Sequence, residues 1–348
     1  MTLLHRAGHD NHFLANSLRA GKDCPAEFLI ADDLTMLKRR EFIATTTLAA
    51  GLSAATALSC QPAKAAIEQG RPFRYCLNTS TIRGQKLPIV EEIKLVGDAG
   101  YDGIEPWINE IDAYQQQGGS LPDLSKRIAD AGLTVESAIG FAAFLVDDPA
   151  QRQKGLDEAR RCMKLVKALG GSRIAAPPVG VTDRTDMNLD VLAERFAALV
   201  QVGREEGVWP QLELWGFSKT LHKLGEVAYL LAQCGDVNAL ALLDAYHIYK
   251  GGSEFGGLGA FAGNRMQCFH INDYPAEPPR SEIKDEHRVY PGDGICPLTE
   301  VLTILKNSGF RGAISLELFN RSYWQLPADQ VVKTGLEKIK AVVAKAGL

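Results

Sequence analysis

Four acidic or imidazole side chains sit inside short apolar runs, where a lone charge is costly to bury. Glu213 lies in Leu212-Glu213-Leu214-Trp215, Asp244 in Leu243-Asp244-Ala245-Tyr246, His270 in Phe269-His270-Ile271-Asn272 and Glu317 in Leu316-Glu317-Leu318. A carboxylate in such a run needs a cationic partner or a metal ion. Three carboxylates and one imidazole make a hard, oxygen-rich donor set with open positions, suited to Mn²⁺, Mg²⁺ or Co²⁺ more than to a thiolate metal. Any one of them alone reads as readily as a helix cap, an ion-pair partner or a satisfied core histidine. Their appearance on four successive runs is what points to a metal site. Glu105, in Ile104-Glu105-Pro106-Trp107, divides evenly between a substrate contact and a buried partner for a neighbouring arginine or lysine.

These runs belong to a repeated order of strand then helix. β-rich stretches at 73–78, 102–107, 134–141, 172–177, 209–215, 239–246, 267–272 and 313–318 alternate with helical patterns. The helical patterns fall near 88–99, 121–131, 150–169, 188–206, 220–234, 256–263, 297–308 and 329–346. In the third, Leu156, Ala159, Cys162, Met163, Val166 and Leu169 recur at steps of three and four, and Gly170-Gly171 ends it. Eight such units with apolar strands call for parallel pairing and right-handed crossovers. The expected fold is therefore α/β, a (β/α)8 TIM barrel forming a single domain over 66–348. A doubly wound sheet would place a glycine-rich phosphate loop after the first strand, where this chain has Thr79-Ser80-Thr81-Ile82-Arg83-Gly84. Nor is there a P-loop or a G-x-S-x-G elbow. In a barrel, the carboxyl ends of the strands carry the chemistry, and the four charged runs lie there.

The chain has 348 residues, a formal net charge of −4, 46% hydrophobic and 23% charged residues, an ordinary globular balance. With no long basic block, it does not suit nucleic-acid binding by phosphate neutralisation. Seven cysteines, spread singly without a C-x-x-C pair, exclude a zinc ribbon or a dense disulfide scaffold. Residues 36–65 read as an export signal. Lys38, Arg39 and Arg40 precede an uncharged Ala/Thr-rich stretch that ends in Ala63-Lys64-Ala65. The paired arginines resemble a twin-arginine signal, so the expected location is periplasmic or exported, and cytoplasmic if the signal is not used. A membrane anchor is the alternative, but the run is weakly apolar for a span, so no stable membrane insertion is expected. Residues 1–35 form an extension ahead of it, and Met36 is an alternative start.

The chain resembles the xylose isomerase-like TIM-barrel family of sugar isomerases and epimerases over about residues 72–345. The resemblance is carried by YDGIEPW at 101–107, LELWG at 212–216, LLDAYHIYKGG at 242–252, CFHINDYP at 268–275, RVYPGDG at 288–294 and SLELFN at 315–320. It implies that Glu213, Asp244, His270 and Glu317 hold one divalent ion, manganese first, with magnesium or cobalt as alternatives. It also implies that His247 and Arg288 contact substrate oxygens, although Arg280 in the long segment 274–287 is a second candidate arginine. The ion would stabilise an enediolate formed from a keto-sugar, with Glu213 and Glu317 on opposite sides as the catalytic acid/base pair. Trp107, Phe141, Trp215 and Phe319 offer flat apolar walls for sugar C–H faces, or ordinary rim packing.

The expected function is a metal-dependent isomerase or epimerase of a free sugar, keto-sugar or glycoside, export arguing against phosphorylated substrates. Dehydration or β-elimination of a keto-sugar on the same site is the first alternative, since it begins with the same proton abstraction. A non-catalytic sugar-binding subunit is a third, disfavoured by the presence of both Glu213 and Glu317. An abasic-site endonuclease on this fold would need more histidines than His222, His247, His270 and His287, the four that follow residue 65. The expected partner is thus a small carbohydrate and not nucleic acid; assembly into a homo-oligomer is compatible with the sequence.

Overall fold

The computed structural model describes residues 71–348 apart from Ala262, so the extension 1–35 and the signal segment 36–65 lie outside the described residues. Eight strands alternate with helices: β1 Arg74–Asn78, β2 Gly103–Glu105, β3 Thr134–Val135, β4 Arg173–Ala176, β5 Trp209–Glu213, β6 Leu240–Asp244, β7 Met266–Ile271 and β8 Ala313–Leu316. Every paired neighbour is parallel, in the order β3-β2-β1-β8-β7-β6-β5-β4. The pairing of β1 with β8 joins the first and last strands of the described residues. Between β3 and β4 the backbone N–H of Ala175 donates to Ala138 O at 2.9 Å. This is the expected TIM-barrel fold.

The third strand is shorter than the 134–141 stretch suggested. Pro106 on the neighbouring strand has no N–H, so it cannot donate to Glu136 O where the ladder would continue. That carbonyl instead accepts from Arg173 Nε at 2.7 Å, and contact resumes only at a bridge between Ile139 and Trp107.

The helices α1 Ile89–Ala99, α2 Ile108–Gln116, α3 Leu121–Asp130, α4 Pro149–Ala168, α5 Leu189–Glu206, α6 Leu224–Cys234, α7 Ala245–Gly251, α8 Leu298–Asn307 and α9 Ala328–Lys345 surround the strands. In α4, Asp148 caps the first turn by accepting from Gln151 N at 2.7 Å, and Ala159, Cys162, Met163 and Val166 form the buried face. The pattern at 256–263 is a 3-10 stretch, Phe255–Phe261, since Gly256, Gly257 and Gly259 weaken an α-helix there. Helices α2 and α7 were not foreseen: one is largely polar, the other short and hidden at the end of a strand-like run. No helix among the described residues is long and apolar enough to cross a membrane.

Two buried layers follow from strand alternation. Outward-facing side chains such as Leu77, Ile104, Leu212, Leu243 and Ile314 join the large core shared with the helices. Ile139, Ala175, Leu242 and Cys268 form a smaller cluster of their own, with Trp107 packed against it.

Candidate active site

Because the strands are parallel, their carboxyl ends share one rim. Glu213 and Asp244 close β5 and β6, His270 is the penultimate residue of β7, and Glu317 follows β8. Asp244 pairs in register with His270. It also caps α7, its Oδ1 accepting from His247 N at 2.8 Å, which fixes the carboxylate's rotamer and sets His247 in the first turn.

Asp244, His270 and Glu317 meet. One ligand atom from each lies within 4.8 Å of the others, and all three residues are buried. His270 Nδ1 stands 3.1 Å from Glu317 Oε2 and 3.7 Å from Asp244 Oδ2, and it is buried without a hydrogen bond. The opposite ring nitrogen, Nε2, lies 2.9 Å from Glu105 Oε2. Glu105 can only accept when ionised, so the network assigns a ring proton to Nε2, and Nδ1 faces the two other acids. Burial works against charge on His270, but Glu105 and Glu317 outweigh it and raise its pKa.

An imidazole nitrogen aimed between two buried carboxylates is a donor set that fits a divalent cation with hard oxygen and nitrogen ligands. The carboxylate behind the histidine completes the arrangement that usually supports such a ligand. Glu213 lines the same cavity but is not one of the three clustered donors. Burial, followed by repulsion from Glu317, pushes its pKa up to about 8. Glu317 moves the other way. Burial alone would raise its pKa, but His270 and Arg288 overcome that and hold it below the usual carboxylate range.

Arg288 is almost wholly buried inside this group. Its Nη1 donates to Asp244 Oδ2 at 3.0 Å and to Glu317 Oε2 at 2.8 Å, while Nη2 donates to Asp285 and lies 3.1 Å from His247 Nε2. Its guanidinium therefore shares two oxygens with any ion bound there. His247 accepts from Gly216 N at Nδ1, and burial together with Arg288 lowers its pKa. Arg280 is exposed and approaches Tyr249, so of the two candidate arginines Arg288 is the one that lines the cavity.

The cavity holds about 180 Å³. Trp107 and Trp215 line it together with Phe141 and Phe319, and their rings form a near-continuous rim: Trp107–Phe141 5.1 Å, Phe141–Trp215 6.3 Å, Trp107–Phe319 6.2 Å.

Glu105 needs a correction. Expected among the substrate contacts, it is fully buried below the cavity, and besides His270 its Oε2 takes Asn78 Nδ2 (2.9 Å) and Ser315 Oγ (2.8 Å). Glu105 is absent from the cavity lining, its Oε1 meets only Cys268 Sγ at 3.9 Å, and through Oε2 it orients His270. Its other role, as a buried partner, is realised with a histidine in place of the expected arginine or lysine.

Several residues escaped the sequence reading. Asn78 links Glu105 to Glu317 Oε1 (3.1 Å) and accepts from Trp107 Nε1 (2.9 Å). It is a polar residue closing an apolar strand, the same signal that exposed the three acids and the histidine. Asn272 donates to Asp244 Oδ2 at 2.8 Å. Phe217, two residues beyond Trp215, and Asp285 also line the cavity. Asp285 carries no apolar flank that would have marked it.

Residues 93–342 match the family model described as Xylose isomerase-like TIM barrel. The inosose isomerase of Bacillus velezensis is 27% identical over 279 residues, spanning 78% of this chain and 98% of that protein. The 3-dehydroshikimate dehydratase of Pseudomonas aeruginosa is 27% identical over 262 residues, 72% of this chain and 39% of that protein. Among solved structures, the IOLI protein with a binding zinc atom superposes with a TM-score of 0.73 at 23% identity, covering 79% of this chain and 99% of that one. At that identity the likeness supports the fold alone.

Proposed function

The chain belongs to the xylose isomerase-like TIM-barrel family, and from that premise we propose that it is a divalent-metal-dependent isomerase or epimerase of an unphosphorylated keto-sugar or keto-glycoside. The carrying observation is the unpaired Nδ1 of His270 aimed between Asp244 and Glu317, beneath a cavity walled by aromatic rings. Manganese is the proposed ion, held by Asp244, His270 and Glu317 with Glu213 as the fourth ligand; magnesium and cobalt suit the same donors. When bound, it would polarise a substrate carbonyl and stabilise the negative charge of an enediolate.

The protein's own groups do the rest. Glu317, held ionised by its cationic neighbours, takes the proton from the carbon beside the carbonyl. Glu213, across the planar intermediate from Glu317, returns a proton to the other face, and the centre is inverted. Solvent then resets the two carboxyls. Arg288 and His247 orient substrate oxygens, and the aromatic rim excludes water from the C–H faces. The choice of an unphosphorylated substrate follows from the basic and Ala/Thr-rich segment 36–65, which supports export to the periplasm; cell fractionation checks it. The net acidity of the chain supports a carbohydrate partner over nucleic acid.

Deuterium uptake from D₂O tests this reading. Candidate keto-sugars should gain deuterium at one carbon without losing water. Release of water with loss of the hydroxyl would favour a second reading, a keto-sugar dehydratase or β-elimination lyase, for which the likeness to 3-dehydroshikimate dehydratase speaks. No exchange in protein loaded with Mn²⁺, Mg²⁺ or Co²⁺ would sink both.

A further inference from the structure

A second cavity, about 730 Å³, opens beside the first. The two share Phe217 and Asp285 as a common wall. The outer side of the second cavity is a strap, residues 278–287, held down by Lys250, whose Nζ donates to Arg280 O at 3.1 Å and Ser281 O at 2.9 Å. Its floor includes the buried ring of Tyr246, whose hydroxyl donates to Ile283 O at 3.2 Å.

Three features point to a ligand spanning both spaces. The first cavity lies below the roughly 300–1,000 Å³ usual for small-molecule sites, and the second lies within that range. Phe217 is 47% exposed, a large apolar ring left open between the two, tilted by 30° against Trp215 (5.2 Å) and by 56° against His247 (5.8 Å). Such a face suits the C–H side of a sugar ring. Around it stand Ser281, Glu282, Lys284 and His287, a mixed set of donors and acceptors without one dominant charge, matched to hydroxyls and not to an anion.

Resting on the function proposed above, we infer that the substrate has two linked rings: the reacting keto-sugar in the first cavity and a glycosyl unit stacked on Phe217 in the second. Asp285 lies between them. It accepts from Arg288 Nη2, so a glycosyl hydroxyl bound at Asp285 is one residue away from the group that touches Asp244 and Glu317.

Equilibrium binding of unoxidised sugars tests the subsite apart from any chemistry. D-glucose, maltose, cellobiose and sucrose are titrated by calorimetry, with indole fluorescence as the second readout. At least one disaccharide should bind ten-fold or more tightly than glucose. Ser281→Trp, which fills the second cavity from its exposed strap, and separately Lys284→Ala, should reduce that advantage while glucose affinity holds. Equal affinity for glucose and every disaccharide, or a preference that survives Ser281→Trp, would overturn the subsite and leave the keto-sugar reading standing. No binding of any sugar would overturn the subsite together with its carbohydrate premise.

Discussion

At the amino-terminal end of the strands, Glu136 is buried with both carboxylate oxygens engaged. Arg74 holds it through Nε (2.6 Å) and Nη2 (2.7 Å), Arg173 through Nη2 (3.1 Å) and Thr134 through Oγ1 (2.7 Å). Nearby Arg71 makes a two-point bond to Asp102 (3.1 and 2.8 Å). At the carboxyl-terminal end, Asp244 and Glu317 share one arginine, Arg288, Glu213 lines the same cavity, and a histidine nitrogen is left without a hydrogen bond. Both ends bury acid. One surrounds a single carboxylate with two guanidinium groups and is closed; the other sets two carboxylates on one guanidinium beside a cavity and is open to a ligand. The contrast is the barrel's division between a stabilising face and a reacting face, stated in hydrogen bonds.

Removing the reacting acid should give the largest effect. Glu317→Gln is expected to slow deuterium exchange into the keto-sugar by about 10²–10⁴-fold, the usual worth of a positioned acid or base, with the far-UV circular dichroism unchanged. Activity at the wild-type level would erase the functional half of the contrast. The closed end should respond in the opposite sense. Glu136→Gln leaves Arg74 and Arg173 facing each other without a counter-charge and should cost about 3 kcal/mol in urea unfolding. Exchange rates should stay within a few-fold of wild type.

Glu105 lies between the two regimes and sharpens the boundary. It is buried and bonded like Glu136, yet it acts on His270. Glu105→Gln should weaken binding of Mn²⁺ by about 10–100-fold, measured by calorimetry, as loss of an outer partner of a ligating histidine generally does. Unchanged metal affinity would place Glu105 with the stabilising end.

The strand order and most of the helices were legible because each unit repeats the same switch from apolar strand to three-and-four spacing. The acids and histidine at 213, 244, 270 and 317 were legible for a related reason: a charge flanked on both sides by leucine, isoleucine, phenylalanine or alanine has no solvent to turn to. What stayed hidden depends on pairing across the barrel. Glu105 has the same local signature as Glu213, and only the 2.9 Å contact with His270, 165 residues away, distinguishes an orienting residue from a substrate contact. Arg288 was placed at the substrate but not between Asp244 and Glu317, because an arginine in a loop does not reveal which carboxylates its long side chain will reach. Phe217 lacked any signal beyond its spacing from Trp215, since its role comes from being uncovered.

The smallest expected effect concerns pH and again separates the two ends. Burial alone would raise the pKa of Glu136, but the bonds from Arg74, then Thr134 and Arg173, outweigh it and hold the carboxyl below its ordinary value. A group whose folded pKa is depressed stabilises the fold fully above its unfolded pKa, near 4.3, and that contribution fades as pH falls through the lower folded value. Wild-type protein and Glu136→Gln should therefore differ in urea midpoint at pH 7 and converge only once pH has fallen below the depressed folded pKa of Glu136, where wild type carries the same neutral group as the variant. A difference that persists undiminished to low pH would mean that the glutamine is failing by shape and not by charge, and that the closed end is held by packing and not by its ion pairs.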